Sequence, residues 1–246
     1  PHNLKSTPGM IIIKRINDTS NWGVWHRGLT DINTSILLNT TAASVTAATA
    51  GDFVSISDTD FVLYPPDRDG GFTANANSIE YIAYLFAHDP LGASGDGSDG
   101  MIACGGGVTD GIGFGVINLG WEPQYVLCKS SSTTNDWKIS DTMRGFTVDN
   151  YGSTVLRPNL SNAELVGSNP YLTNTGFVYG GAASESFIYM AIRRPLRLPE
   201  SGTDVLAIVD EAGNPSTVTA GFPVDALLGK ETYDNANYGP FLLDRL

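Results

Sequence analysis

The residues with intrinsic chemistry in this chain are three histidines, two cysteines and a large excess of carboxylates. A serine hydrolase needs a Gly-x-Ser-x-Gly elbow or a Ser/His/Asp set. The elbow motif is absent, and His2, His26 and His88 stand far apart in the sequence. His26 ends an alternating stretch, so a satisfied strand histidine outranks a general base there. Glycoside hydrolysis needs two carboxylates facing each other across a cleft. Asp136 with Asp141, or Glu164 with Glu185, could supply such a pair and equally read as turn and rim residues. "DRDGG" (67–71) and "DGSDG" (96–100) place Asp67, Asp69, Asp96 and Asp99 in fragments of calcium loops, making calcium the one cofactor in view. Neither fragment completes the loop, and Asp and Gly also make plain turns. "GIGFG" (111–115) opens no helix and so reads as a glycine-rich strand, not a phosphate cradle. Sugar binding asks less: exposed aromatic faces beside Asn and Asp. Trp25, Tyr64, Trp121, Tyr151 and Tyr171 lie near expected strand ends or loops and are the candidate glycan contacts, against a competing role in packing.

Composition limits the alternatives. The net charge is −12, and the densest basic spot, "RRPLR" (193–197), is too small a footprint for phosphates. Nucleic acid is therefore excluded as a partner. No apolar run approaches the length of a membrane-spanning helix, so membrane insertion is not expected either. Cys104 and Cys128 have no metal-ligand spacing, and Cys128 ends an apolar run as a small buried residue would. Charged residues make up only 16% of the chain, with Gly, Ser, Thr and Asn in their place, which suits short strands joined by many turns.

The elements that must position these residues repeat. "KSTPGMIIIK" (5–14) and "GWEPQYVLCK" (120–129) share Pro, a spacer, four apolar residues and Lys. A constant offset of 115 sets Asn3, Leu4, Pro8, Lys14 and Trp22 on Asn118, Leu119, Pro123, Lys129 and Trp137. With small gaps the match continues: Asn39 meets Asn159, Tyr81 meets Tyr189 and Ala83 meets Ala191. A third copy begins at "GFPVDALLGK" (221–230), where Lys230 matches Lys129, and "FLLDRL" (241–246) sets Asp244 on Asp141. The expectation is a first β-sandwich repeat over 1–90, truncated at its start, a second over 100–196, and a linker with an incomplete third over 197–246. The natural protein is then expected to extend beyond both ends.

Within each repeat, "MIIIKR" and "YVLCK" read as buried strands, and "WGVWHR" alternates, with Trp22, Val24 and His26 on one face. Trp22 and Trp137 are expected to fill the core. "IACGGG" and "IGFGVINLG" are expected to form a hairpin across "GGVTDG". Helix is minor. Short strands with frequent turn signals indicate an all-β chain of tandem antiparallel β-sandwiches of jelly-roll, lectin-like type.

The combination "GGGVTDG…NLGWEPQYVLCKSS…DWKISDTMRG…LRPNLSNAE…GFVYGG…FIYMAIRRP" resembles a repeated β-sandwich domain of uncharacterised function found in fibre-like and tail-associated virion proteins of marine phages, particularly cyanophages. The first copy, "NLKSTPGMIIIKR…NW…LLNTTAA…YIAYLFA", resembles the same domain. The resemblance covers nearly the whole chain, and the family brings no catalytic residues to transfer. It departs at "VWHRG", which stands against "DTMRG", and at the insertion "PPDRDGG". It implies a non-enzymatic, structural and adhesive virion protein: a tail fibre or similar appendage that contributes to host-surface attachment. Its partners would be other virion proteins, further copies of itself, as a trimer for instance, and a host surface glycan. The alternatives are a capsid-decorating or capsid-fibre protein and a carbohydrate-active enzyme of the virion.

Overall fold

The computed structural model describes residues 1–46, 53–64, 76–89, 91, 100–148, 153–167, 170–194, 226–229 and 241–244. The chain divides into two compact units, Pro1–Pro195 and Leu196–Leu246. In the larger unit the first repeat supplies β1 (Met10–Arg15), β2 (Gly23–His26), β3 (Thr34–Leu37), β4 (Val45–Thr46), β5 (Phe53–Ile56), β6 (Phe61–Leu63) and β7 (Tyr81–Phe86). The second supplies β8 (Ile102–Val108), β9 (Phe114–Asn118), β10 (Pro123–Ser130), β11 (Lys138–Asp141), β12 (Thr154–Val155), β13 (Leu165–Val166), β14 (Tyr171–Thr173), β15 (Gly176–Gly180) and β16 (Ser186–Arg193). One 3₁₀ turn, Thr142–Arg144, is the only helix among the described residues.

The strands form antiparallel sheets that stack in layers. A five-stranded sheet runs β4-β3-β2-β1-β7 and a four-stranded sheet runs β11-β10-β16-β8. In β1 the odd residues Ile11 and Ile13 join Trp25 and Phe53 in one core, closed by the β5-β6 hairpin. The even residues Met10 and Ile12 join Val24 and Ile36 in a second core. Leu127, Trp137, Ile188 and Met190 of the four-stranded sheet fill that same second core from the opposite side. The far face of the four-stranded sheet, with Val126, Cys128 and Phe187, packs on Leu172, Phe177 and Tyr179 of the sheet β14-β15-β9. Each repeat thus has a core of its own, and a third core joins the two. Each large buried side chain contributes roughly 2–3 kcal/mol.

The pairing register shows how closely the repeats agree. Met10 faces His26 across β1 and β2, and Tyr125 faces Asp141 across β10 and β11, both partners 115 residues further on. The last strands correct the sequence match. Ile13 pairs with Ala83 while its counterpart Cys128 pairs with Tyr189, so Tyr189 corresponds to Ala83 and Phe187 to Tyr81. Matching Tyr81 to Tyr189 is a slip of two residues, which leaves every side chain on its proper face and so hides in the alternation. The smaller unit contains β17 (Ala226–Gly229) and β18 (Phe241–Asp244). Setting Lys230 on Lys129 puts Ala226 on Tyr125, and the Tyr125–Asp141 pair returns as Ala226–Asp244.

A second expectation is also revised. The chain turns between β8 and β9, where Asp110 Oδ1 accepts the Phe114 amide at 2.9 Å, but the two strands do not form a hairpin. β8 joins β16 and β9 joins β15, in different sheets. Gly105 and Gly107 of β8 leave room for the rings of Tyr189 and Phe187, and Gly106 meets Gly28 of the first repeat. A Cβ at Gly28 would lie 2.7 Å from the Gly105 carbonyl, so the backbones touch where no side chain fits.

Candidate ligand-binding surfaces

The recurring residues are consumed by the scaffold. Asn39 Oδ1 accepts the Trp22 amide at 2.9 Å, and Asn159 Oδ1 accepts the Trp137 amide at 3.0 Å. Lys14 and Lys129 each donate from Nζ to the next carbonyl, at 2.8 and 2.7 Å. Trp137 is fully buried, and its Nε1–H donates to the Leu37 carbonyl of the other repeat at 2.9 Å.

Of the aromatic candidates, Trp25 and Trp121 are corrected. Trp25 is 9% exposed and packs on Phe53, while Trp121 is 3% exposed in the outer core of the second repeat. Neither presents a ring to solvent. Trp25 lies on the face opposite Trp22, as alternation requires, but β5 and β6 cover that face. Tyr64 and Tyr171 are half-buried, one after β6 and the other in β14, in different repeats. Tyr151, Asp67, Asp69, Asp96 and Asp99 lie outside the described residues. Among the described residues no cluster of three or more His, Cys, Asp or Glu could hold a metal ion.

The acid–base candidates are held in structural bonds. Asp136 takes Arg157 at 3.3 Å and the Asn159 amide at 2.8 Å. Asp141 caps the 3₁₀ turn, and Arg144 bridges Asp141 and Glu164. His26 is buried at the junction of the repeats: its Nδ1 accepts the Gly28 amide at 3.0 Å, so Nε2 carries the proton and donates to the Tyr189 carbonyl at 2.9 Å. Burial, with smaller effects from Arg27 and His88, pushes its pKa down to about 3, although the Tyr189 carbonyl favours the charged form. His88 is also pushed down, chiefly by burial, and its Nδ1 accepts the Cys104 amide at 3.1 Å. Cys104 and Cys128 are free thiols in different cores, each raised to about 12 by burial, which is the opposite of nucleophile activation.

One polar cluster escaped the sequence. Lys129 and Glu185 are both buried, and Tyr179 donates its hydroxyl to Glu185 Oε1 at 2.7 Å. Burial favours the neutral acid, but the Ala182 amide and the Tyr179, Ser130 and Thr133 hydroxyls together hold the Glu185 carboxyl below its usual range. Burial pushes Lys129 down to about 8, partly offset by Glu185 and Asp136. The four-apolar-then-Lys pattern gave no sign that this lysine is buried within the field of a buried acid 56 positions away.

Two open features remain. A cleft of about 360 Å³ lies between the repeats, lined by Gly28, Thr30, Ser44, Gly106, Ser131 and Ser186. Its described lining offers hydroxyls, backbone and the apolar side chains of Leu29, Val108 and Phe187, but no acid, base or cation. The other is an aromatic ledge. On the joint-core face of the five-stranded sheet, Ile12 pairs with Val24 and Tyr84, and Lys14 with Ile82. Trp22 precedes β2 on this face, and its ring lies 6.4 Å from that of Tyr84 with planes 23° apart. Trp22 is half-buried, while Tyr84 and Ile82 are 43% and 39% exposed. The counterparts Trp137, Met190 and Ile188 are all buried under the first repeat. Trp22 therefore fills the core only in part. The signal for the ledge was that β7 is apolar on both faces, with Ile82 and Tyr84 alternating against Tyr81, Ala83 and Leu85.

The fold and these surfaces define a layered all-β sandwich protein built from internally repeated units. The chain belongs to the family described as a domain of unknown function (DUF7483), whose family model matches residues 1–194. That span coincides with the compact unit Pro1–Pro195 and takes in both repeats and their joint core. No curated protein and no solved structure matches this chain.

Proposed function

We propose that this chain is a structural and adhesive module of a phage virion, part of a tail fibre or similar appendage that contributes to host-surface attachment. The observation that carries the reading is the fate of the recurring residues. Asn39 and Asn159, Lys14 and Lys129, and Trp137 all serve turns and cores, so the repeat propagates a scaffold and not a reaction site. The register of β1-β2 recurs in β10-β11 and in β17-β18, as expected of a module that spaces a binding end from a particle. The resemblance to tail-associated proteins of marine phages supplies the setting. His26 and His88 accept backbone amides, both thiols are buried, and Asp136, Asp141, Glu164 and Glu185 hold structural hydrogen bonds or ion pairs, which favours binding over catalysis. Labelling the chain in intact virions and locating it by cryo-electron microscopy tests the assignment: density on the tail or an appendage is expected, and density confined to the capsid surface overturns it. Incubation with host polysaccharide tests the adhesive part, since sustained release of new reducing ends would mark an enzyme.

A further inference from the structure

We infer that the Trp22–Tyr84 ledge is a binding site for neutral glycans; the inference rests on the adhesive reading and names its site and ligand class. A sugar ring presents a flat apolar face of C–H groups and an equator of hydroxyls. It is held by aromatic rings with polar groups at their edges. The ledge supplies both. The two rings are nearly parallel, 6.4 Å apart, on a sheet face that is open on the first repeat and closed on the second. At their edges, the Trp22 indole N–H and the Tyr84 hydroxyl have no partner among the described residues. Asn39 Nδ2 donates to Asn21 Oδ1 at 3.0 Å, which leaves the amide N–H₂ of the exposed Asn21 as a third donor. The Asn21 backbone carbonyl is occupied by the Ser20 hydroxyl.

Size and charge select the occupant. Taking about 150–250 Å² per aromatic side chain, the exposed parts of Trp22, Tyr84 and Ile82 sum to roughly 200–300 Å². A stable protein–protein contact buries about 800 Å² per partner, so a second protein surface is a poor match and one or two sugar units fit. The nearest cation, Lys14, is already held by the Arg15 carbonyl at 2.8 Å and Ser20 at 3.4 Å, and Arg15 is paired with Asp18. With a net charge of −12, and with the Lys14 ammonium turned to the Arg15 carbonyl and Ser20 and no other cation at the ledge among the described residues, an acidic polysaccharide is disfavoured and a neutral one is not. The feature is specific to the first repeat. In the second, the positions of Asn21 and Tyr84 hold Asp136 and Met190, and Asp136 is bound to Arg157 and Asn159.

The test uses the full chain on an array of neutral oligosaccharides of glucose, galactose and mannose, with oligogalacturonate as the acidic probe. The best neutral probe is then titrated by tryptophan fluorescence and calorimetry. Wild type is expected to bind a neutral probe, and Tyr84→Ala and Asn21→Ala to weaken it at least tenfold and about threefold. Val116→Ala, at an exposed position of β9 in the second repeat, is expected to bind as wild type does. Tyr84 and Asn21 are exposed, so these variants keep the fold, and a thermal melt checks that they do. The site is overturned if no neutral probe binds, if only the acidic probe binds, or if Tyr84→Ala binds unchanged. It is also overturned if sedimentation shows a dimer that Tyr84→Ala dissociates without any sugar binding. Adhesion to host cells separates the two levels: equal adhesion of wild type and Tyr84→Ala removes the site but leaves the adhesive role, and no adhesion by either removes both.

Discussion

Acid should loosen the joint between the repeats through His26. The imidazole is 1% exposed, donates from Nε2 to Tyr189 and accepts at Nδ1 from Gly28. Protonation would put a second N–H against the Gly28 amide and a charge into the core. The native pKa is accordingly about 3, against 6.5 for the ordinary residue. The sign follows from the protons bound. Above pH 6.5 both native and unfolded states hold a neutral ring, and His26 makes stability independent of pH. Between 6.5 and 3 the unfolded chain binds a proton that the native protein refuses, so stability falls as pH falls, by about 1.4 kcal/mol per unit. From pH 7.5 to 5.0 the loss is about 2 kcal/mol. Asp110 and Glu185 are held below the ordinary carboxylate range, and the stability they add is lost as pH falls below that range, under the interval from 7.5 to 5.0. His88, also lowered, adds a smaller loss of the same sign. The assay is urea unfolding followed by tryptophan fluorescence at pH 7.5, 6.5, 5.5 and 5.0, for wild type, His26→Gln and His26→Gln with His88→Gln. At pH 7.5 His26→Gln should be less stable by about 1–3 kcal/mol, because the Gly28 amide loses its partner. Toward pH 5 the curves should converge by about 2 kcal/mol, since glutamine does not titrate. A His26→Gln protein with the wild-type pH slope would refute the reasoning.

Other consequences can be measured directly. Gly28→Ala puts a methyl 2.7 Å from the Gly105 carbonyl and should lower stability by about 1–3 kcal/mol in a thermal melt; an unchanged melting point would show that the backbones can separate freely. Glu185→Ala should cost about 1–3 kcal/mol in urea unfolding, because the buried Tyr179 hydroxyl and the Ala182 amide lose their acceptor; an unchanged midpoint would refute this. A fragment ending at Pro195 should unfold in one cooperative transition by calorimetry, whereas fragment 1–90 should bind a hydrophobic dye, because Met10, Ile12, Val24 and Ile36 lose their cover.

The strands were legible because their signals are local. Pro, apolar run and Lys mark β1 and β10, and alternation assigns Ile11 and Trp25 to one face and Ile12 and Val24 to the other. Periodicity says which residues share a face; it does not say what covers that face. Trp25 and Trp121 were misread as sugar contacts for this reason, since the layers over them come from β5-β6 and from the second repeat's outer core. The ledge was missed for the same reason in reverse, because Trp22 matches Trp137 in sequence but not in cover. The burial of Lys129 and Glu185 was invisible because the layers that enclose them come from segments distant in the chain.

Two similar sheets meeting face to face would bury equivalent residues equally if they met symmetrically. They do not: Trp137, Ile188 and Met190 are sealed, while Trp22, Ile82 and Tyr84 project past the edge of the cover. Trp137 is covered by β3, whose Ile36 joins the joint core and whose Leu37 carbonyl takes the indole N–H, whereas among the described residues β7 is an edge strand. The offset contact therefore leaves an aromatic strip on the first repeat and none on the second. A repeated scaffold gains a site where one copy's core face is left uncovered, and there the residues are free to differ from their counterparts. Tyr84 against Met190 and Asn21 against Asp136 are such differences, and substituting Met at Tyr84 should abolish sugar binding while leaving the urea midpoint within about 0.5 kcal/mol of wild type.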